Sequence, residues 1–333
     1  MDIIATVVIV VVAAVFCHCF TFDREIQRQQ NNMMFSTIID LILVALAVIS
    51  IYLLLQWYLR TLTVTEFNQK YVLVTGCDTG FGYLLAKQLD VLGFNVFATC
   101  LTKEAISGLH AICTKRLEAF LMDVTKKEDI EKVEKFVRSR LPKNTGLWAL
   151  VNNAGVMSTL LFPDCYSRKH YTEVMDVNVY GMIDVTTAFL PLLRMSKGRI
   201  VNVSSVLGKF TPPIFVPYCI SKHAVEAYSN GLRCSLKLQN ITVHIIEPGC
   251  FMTNLTSYDI IENRSRQDFA AASTDVQQFY GNKFFESYQV LVMIKQHPVQ
   301  HSQVIRDMLK RKPLRQSSCS LYFLKNQKVS TFK

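Results

Sequence analysis

The sequence predicts an α/β protein: a doubly wound parallel sheet with helices on both faces, preceded by long apolar helices at the N-terminus. Three observations carry that reading. From residue 70 onward, short β-branched or apolar runs (YVLVT, NVFATC, LEAFLMDV, LWALVNNAG, GRIVNVSS, ITVHIIEPG) alternate with stretches of helical spacing and charge. A glycine-rich turn, TGCDTGFG, separates the first run from the first helical stretch. Ahead of both lie two apolar stretches, residues 3–20 and 38–59.

Those two stretches come first in the chain. Residues 3–20 are apolar apart from Cys17, His18 and Cys19, and 38–59 are interrupted lightly by Asp40, Ser50 and Gln56. As helices of about 18 residues or more, each reaches across a ~30 Å hydrocarbon core. No Lys or Arg precedes the first and Asp2 is acidic, the wrong start for a secretory signal, so 1–22 reads as a hydrophobic membrane segment. Gln56, Trp57, Tyr58 and Arg60 give the second run an interfacial edge, and 38–60 reads as a transmembrane helix. Between them, 23–37 reads as a polar loop in which Asp23, Arg24, Glu25 and Arg28 cancel, so the positive-inside rule assigns no membrane face.

Half of the 333 residues are hydrophobic, enough for a sizeable core. The net charge is +10, but from Lys310 onward there are seven Lys/Arg and no Asp/Glu. The excess therefore sits largely in a basic tail, 312–333, which argues against a basic groove and a nucleic-acid partner. Ten cysteines are scattered without C-x-x-C pairs or histidines at zinc spacing, so they read as mainly reduced thiols with no metal site.

Residues 68–311 read as one domain. Alternating strand and helix builds a parallel sheet because each parallel crossover needs a helix-length connection. In the turn after the first strand, Gly76, Gly80 and Gly82 allow tight turning and close backbone approach. The following helix then offers free N–H groups and a positive dipole end to a pyrophosphate. A ribose 2′-phosphate wants a basic partner, whereas a 2′-hydroxyl commonly meets an acid near the end of the second strand. That strand ends at Ala98, Thr99 and Cys100 with neither, and Asp78 inside the loop would repel a phosphate, which favours NAD over NADP. Residues 259–282 lack strands and read as a helical excursion.

Three further signals complete a pattern: NNAG at 152–155, NVSS at 202–205, and Tyr218 thirteen residues beyond Ser205. With TGCDTGFG they resemble the short-chain dehydrogenase/reductase family, whose fold is Rossmann-like. TGCDTGFG, GLWALVNNAGV, LPLLRMSKGRIVNVSSVLG and EPGCFMTN are similar to the membrane-associated branch containing retinol and 17β-hydroxysteroid dehydrogenases.

Moving a hydride from an alcohol carbon requires the hydroxyl proton to leave too. Free tyrosine titrates near ~10, too high for a base at neutral pH, so it needs a nearby cation. Lys222 lies one helical turn beyond Tyr218 on the same face and favours the phenolate. The resemblance implies that Ser205 hydrogen-bonds the substrate oxygen, that Lys222 also holds the cofactor ribose, and that Asn178 keeps a water and Lys222 in a proton path. It implies cofactor contacts at Gly76, Asp78, Thr79, Gly80, Phe81, Gly82, Asp123, Val124, Asn152, Ala154, Gly155, Pro248, Gly249 and Thr253, besides Tyr218 and Lys222. For Asp123, the plain alternative is a strand-end acid starting a turn.

A lipophilic substrate, a membrane location at the endoplasmic reticulum and compatibility with a homo-oligomer also follow from the resemblance. Met157, Leu160, Leu161, Phe162, Phe210, Pro212, Ile214 and Phe215 flank the motifs and suit an apolar pocket. The other readings are a dehydrogenase of a small hydroxy acid such as 3-hydroxybutyrate, which would want Arg or Lys in that loop, and a non-catalytic membrane scaffold. One departure stands out: relatives carry an Arg-Tyr-x-x-Gly closing strand where Arg315 is followed here by Gln316, Ser317, Ser318 and Cys319.

Overall fold

A computed structural model describes residues 27–61, 64–249, 251 and 253–281, and the chain divides after Thr61 into two compact units. The first holds helix α1 (Gln27–Thr61), whose stretch Ile38–Tyr58 is long and apolar enough to cross a membrane and is not buried by protein. Residues 27–37, inside the stretch expected to be a polar loop, are helical. Gln, Met and Arg are good helix formers and no Gly or Pro interrupts them, so polarity there does not break the helix. Segment 1–22, the tail 312–333 and the altered site after Arg315 lie outside the described residues.

The second unit opens with a 3₁₀ turn, Phe67–Gln69, whose Phe67 stacks on Phe94 at 4.7 Å. Six parallel strands follow: β1 (Tyr71–Val74), β2 (Asn95–Cys100), β3 (Leu117–Leu121), β4 (Ala149–Asn152), β5 (Arg199–Val203) and β6 (Thr242–Ile246). Their order is 3-2-1-4-5-6, the doubly wound arrangement expected. Each crossover contains helix: α2 (Gly80–Val91), α3 (Lys103–Ile112), α4 (Lys127–Arg140), α5 (Arg168–Met175) running through a π turn (Asp176–Gly181) into α6 (Met182–Ser196), and α7 (Val216–Ser235).

Alternation along β1 explains the two layers. Val72 and Val74 join Leu85, Leu89 and Leu109 on one face, while Leu73 joins Val133, Phe189 and Leu192 on the other. Both faces are buried, which is why these strands read as continuous apolar runs. Strand order reverses between β1 and β4, and the crevice at their C-terminal ends is where such sheets bind ligands. After β6, helices α8 (Tyr258–Ala270) and α9 (Thr274–Tyr280) form the strandless excursion expected. A separate apolar cluster joins segments that follow β4, β5 and β6: Leu160, Leu161 and Ile214 with Ile261, Phe269 and Val276. Among the described residues the six cysteines are free.

Candidate active site

The glycine turn has three glycines with three different requirements. Gly76 has φ +69°, and a Cβ there would sit 2.7 Å from Ala154 Cα. At Gly82 a Cβ would meet Gly76 O at 2.3 Å, so α2 packs closely on the turn. Gly80, at φ +63°, has its nearest neighbour, Thr253 Cγ2, at 3.5 Å from such a Cβ, leaving the backbone approachable at the start of α2. Phe81 meets Phe251 edge-on at 5.7 Å, so the segment after β6 reaches this turn. Thr79 is exposed just before α2. Tight turn, open backbone and helix N-terminus together fit a dinucleotide.

Asp78 turns away from the loop. Its carboxylate accepts from Leu101 N at 2.9 Å, Thr102 N at 3.1 Å and Thr102 Oγ1 at 3.3 Å, which seats a negative charge at the end of β2. Asp123 makes a local turn, accepting from Thr125 N at 3.0 Å and Thr125 Oγ1 at 2.7 Å. Burial works against its charge, but the Thr125 hydrogen bonds and Lys126 hold its pKa below the ordinary carboxylate value. Val124 packs where a Cβ on Gly181 would fall, 2.8 Å from its Cγ2. Asn152 lies inside the sheet, donating to Thr186 Oγ1 at 2.9 Å and Asn202 Oδ1 at 2.8 Å.

Strand ends and α7 bring the remaining residues together. Tyr218 is 6% exposed on the first turn of α7 and Lys222 is 5% exposed one turn later, its ammonium 5.5 Å from the Tyr218 ring centre. Lys222 Nζ donates to Val203 O at 3.0 Å at the end of β5. Desolvation pushes its pKa down to about 8, partly opposed by Glu226. Ser205 Oγ accepts from Leu207 N at 3.2 Å and lies 3.5 Å from Pro248 O, a long separation that leaves its proton loosely held. Gly249 follows Pro248, beside the Ser205 loop that Val206 N joins to Pro248 O at 2.9 Å.

Asn178 sits in the π turn, where its Oδ1 accepts from Val156 N at 2.8 Å. Its Nδ2 donates to Val156 O and to Ser221 Oγ, both at 3.0 Å. A Cβ on Gly155 would lie 3.2 Å from Asn178 Oδ1 and 3.7 Å from Lys222 Nζ, so these three converge. The arrangement sets a buried phenol and a buried cation on α7 against the loop that carries the Ser205 hydroxyl, groups suited to moving a proton on and off an alcohol oxygen.

Sequence reasoning missed two braces. Asn153 Nδ2 donates to Thr75 O and Gly76 O, both at 2.9 Å, and fixes the glycine turn to β4. Ser221 Oγ donates to Tyr218 O at 2.7 Å while accepting from Asn178. Asn153 is itself part of NNAG and Ser221 stands next to Lys222, and that placement was the available signal. Leu160, Leu161 and Ile214 prove to be buried core, whereas Met157, Phe162 and Phe215 are partly buried and Phe210 is exposed. A cavity of about 350 Å³ beside residues 156–159 is walled by His170, Glu173 and Arg264 and includes neither Tyr218 nor Ser205.

The family model described as short chain dehydrogenase matches residues 70–263. Retinol dehydrogenase 16 of Mus musculus is 42% identical over 244 residues, covering 73% of this chain and 76% of its own length. 17-beta-hydroxysteroid dehydrogenase type 6 of Homo sapiens is 39% identical over 242 residues, covering 72% of this chain and 75% of its own. Among solved structures, a short-chain dehydrogenase from Streptomyces avermitilis aligns with a TM-score of 0.52 at 34% identity, covering 56% of this chain and 67% of that one. The parallel sheet, the glycine turn and these matches place the chain in the short-chain dehydrogenase/reductase family, as an oxidoreductase related to retinol and steroid dehydrogenases.

Proposed function

We propose that the chain is a membrane-anchored oxidoreductase that transfers a hydride between a nicotinamide cofactor and an alcohol or carbonyl of a lipophilic substrate, retinol or steroid in type, with NAD preferred and Tyr218 as the acid/base. The observation that carries this reading is the buried ammonium of Lys222 one helical turn beyond the buried phenol of Tyr218. Nicotinamide, when bound, supplies the hydride acceptor. Tyr218, held as phenolate by the Lys222 charge, takes the hydroxyl proton. Ser205 donates to the substrate oxygen as negative charge develops there. Asn178, tied to Val156 and Ser221 beside Gly155, would keep a water and Lys222 in a proton path.

For the dinucleotide, Gly76, Gly80 and Gly82 with the start of α2 would take the pyrophosphate, and Lys222 the ribose next to nicotinamide. Asp123 and Val124 would face adenine, and Pro248, Gly249 and Thr253 the nicotinamide. The Asp78 carboxylate at the end of β2 supports NAD, because it stands where a 2′-phosphate would bring two further negative charges. A lipophilic substrate is supported by residues 157–162 and 210–215, which contain no Lys or Arg to meet a carboxylate, and by relatives named for retinol and steroid. Helix α1 supports anchoring, and the endoplasmic reticulum as the membrane comes from the family resemblance alone.

The test is a panel of retinols, hydroxysteroids and 3-hydroxybutyrate with NAD and with NADP, run on wild type and Tyr218→Phe. Turnover of a lipophilic alcohol with NAD, abolished in the variant while nucleotide binding persists, is expected. Full activity in Tyr218→Phe would remove the mechanism. Bound nucleotide with no turnover across the panel would favour a scaffold.

A further inference from the structure

We propose that Lys209 is a positioning residue, a clamp that holds together the three chain segments bearing Ser205, the Tyr218–Lys222 pair and Pro248. The proposal rests on the functional reading above. Lys209 ends the short turn (Val206–Gly208) that follows Ser205. Its ammonium lies 2.8 Å from Glu226 Oε2 and 3.3 Å from Glu247 Oε1. Glu226 is on α7, one helical turn beyond Lys222, and Glu247 immediately precedes Pro248. One cation therefore bridges the loop after β5, the helix carrying the phenol and the loop after β6.

The surroundings make this bridge more than a surface ion pair. The Glu226 and Glu247 side chains are 7% and 14% exposed, and Glu226 Oε1 has no hydrogen-bond partner among the described residues. Two poorly hydrated carboxylates share one ammonium, so without it they repel across the gap that separates α7 from β6. Partial burial works against the Lys209 charge, but Glu226 and Glu247 prevail and hold its pKa above the ordinary value, so the clamp stays charged. Gly208 brings the same loop against α7: a Cβ there would lie 3.0 Å from Lys222 O and 3.1 Å from Glu226 Cγ. Ser205 is four residues from Lys209, and a shift of about 1 Å at a reacting group is enough for a rate loss of roughly 100-fold.

The experiment uses the full chain in detergent or vesicles and compares Lys209→Met, Lys209→Arg and the double variant Lys209→Met/Glu226→Gln. Lys209→Met should lower kcat by roughly 10- to 100-fold while nucleotide KM changes less than about threefold, because the glycine turn is untouched. Lys209→Arg should restore kcat to within about threefold of wild type. Backbone amide exchange should rise over residues 204–209 in Lys209→Met and stay unchanged in β2 and β3. If Lys209→Met does not fold, the double variant removes the more buried of the two uncompensated carboxylates and ends their mutual repulsion, and it should fold and still lose kcat. Wild-type kcat together with wild-type exchange in a folded variant lacking Lys209 overturns the proposal. If the wild-type chain turns over no alcohol, the function assigned above fails, and exchange over 204–209 alone decides the clamp.

Discussion

Lys222 shows a conflict between folding and chemistry inside one side chain. Its pKa falls from an ordinary 10.5 to about 8 because the ammonium is desolvated. At neutral pH the amine is charged in both folded and unfolded states, so that burial costs the cofactor-free fold on the order of 3 kcal/mol. Lys222→Met, which gives up the hydrogen bond to Val203 O, should therefore raise the thermal midpoint of the cofactor-free protein at pH 7 while abolishing turnover. Between about pH 8 and 10.5 the unfolded chain binds the extra proton, so wild-type stability rises with pH and the gap narrows. Thermal scans of both proteins across that range check the sign and the window. Tyr218, Lys222 and Ser205 were legible because their relation is written in local spacing: four residues on a helix, thirteen between strand end and helix. The partners of Asp78 and Lys209 were not, since Leu101, Glu226 and Glu247 meet them only through the sheet's long crossovers.

Turns and strands divide in the same way. All six strands were legible as short, largely apolar runs, because a parallel sheet buried on both faces leaves few polar positions to blur them. The π turn at Asp176–Gly181 was not, since its distinction is a backbone spacing that no residue type announces. In the glycine turn, Gly82→Ala would put a methyl 2.3 Å from Gly76 O and 2.5 Å from Asn153 Nδ2. It should cost about 1–3 kcal/mol in chemical denaturation and lose nucleotide binding by tenfold or more in titration. A second test concerns the segments flanking the site. Tyr166 Oη lies 2.7 Å from Thr159 O and 2.8 Å from Ile214 O, and it accepts from Leu161 N at 2.9 Å. Ile214 is β-branched at φ +65°, a conformation such residues rarely hold, and Tyr166 fastens it there. Tyr166→Phe should lose about 1–3 kcal/mol by denaturant unfolding and raise substrate KM more than nucleotide KM.

The whole chain is two units of different solvent habit, a helix with an apolar stretch left unburied and a sheet with both faces covered. A chain starting at residue 62 should leave the membrane fraction and still bind NAD; its retention with membranes would mean that α1 is not the anchor. Acid sensitivity belongs to this scale too. Burial, Arg199 and Arg233 push the His244 pKa from 6.5 down to about 3. His244 thus contributes stability that is present above about pH 6.5 and lost as pH falls toward 3, and His244→Asn should flatten that part of the acid-unfolding curve. Strand order carries a last consequence, in time. Leu73 pairs with Phe97 only 24 residues later on one side, but with Leu150 77 residues later on the other. At ~5–20 residues per second of synthesis, β1 waits roughly 4–15 s for β4 to exist. During that interval the nascent chain holds an open apolar edge on the side where the nucleotide crevice will form, a surface open to mispairing until β4 arrives.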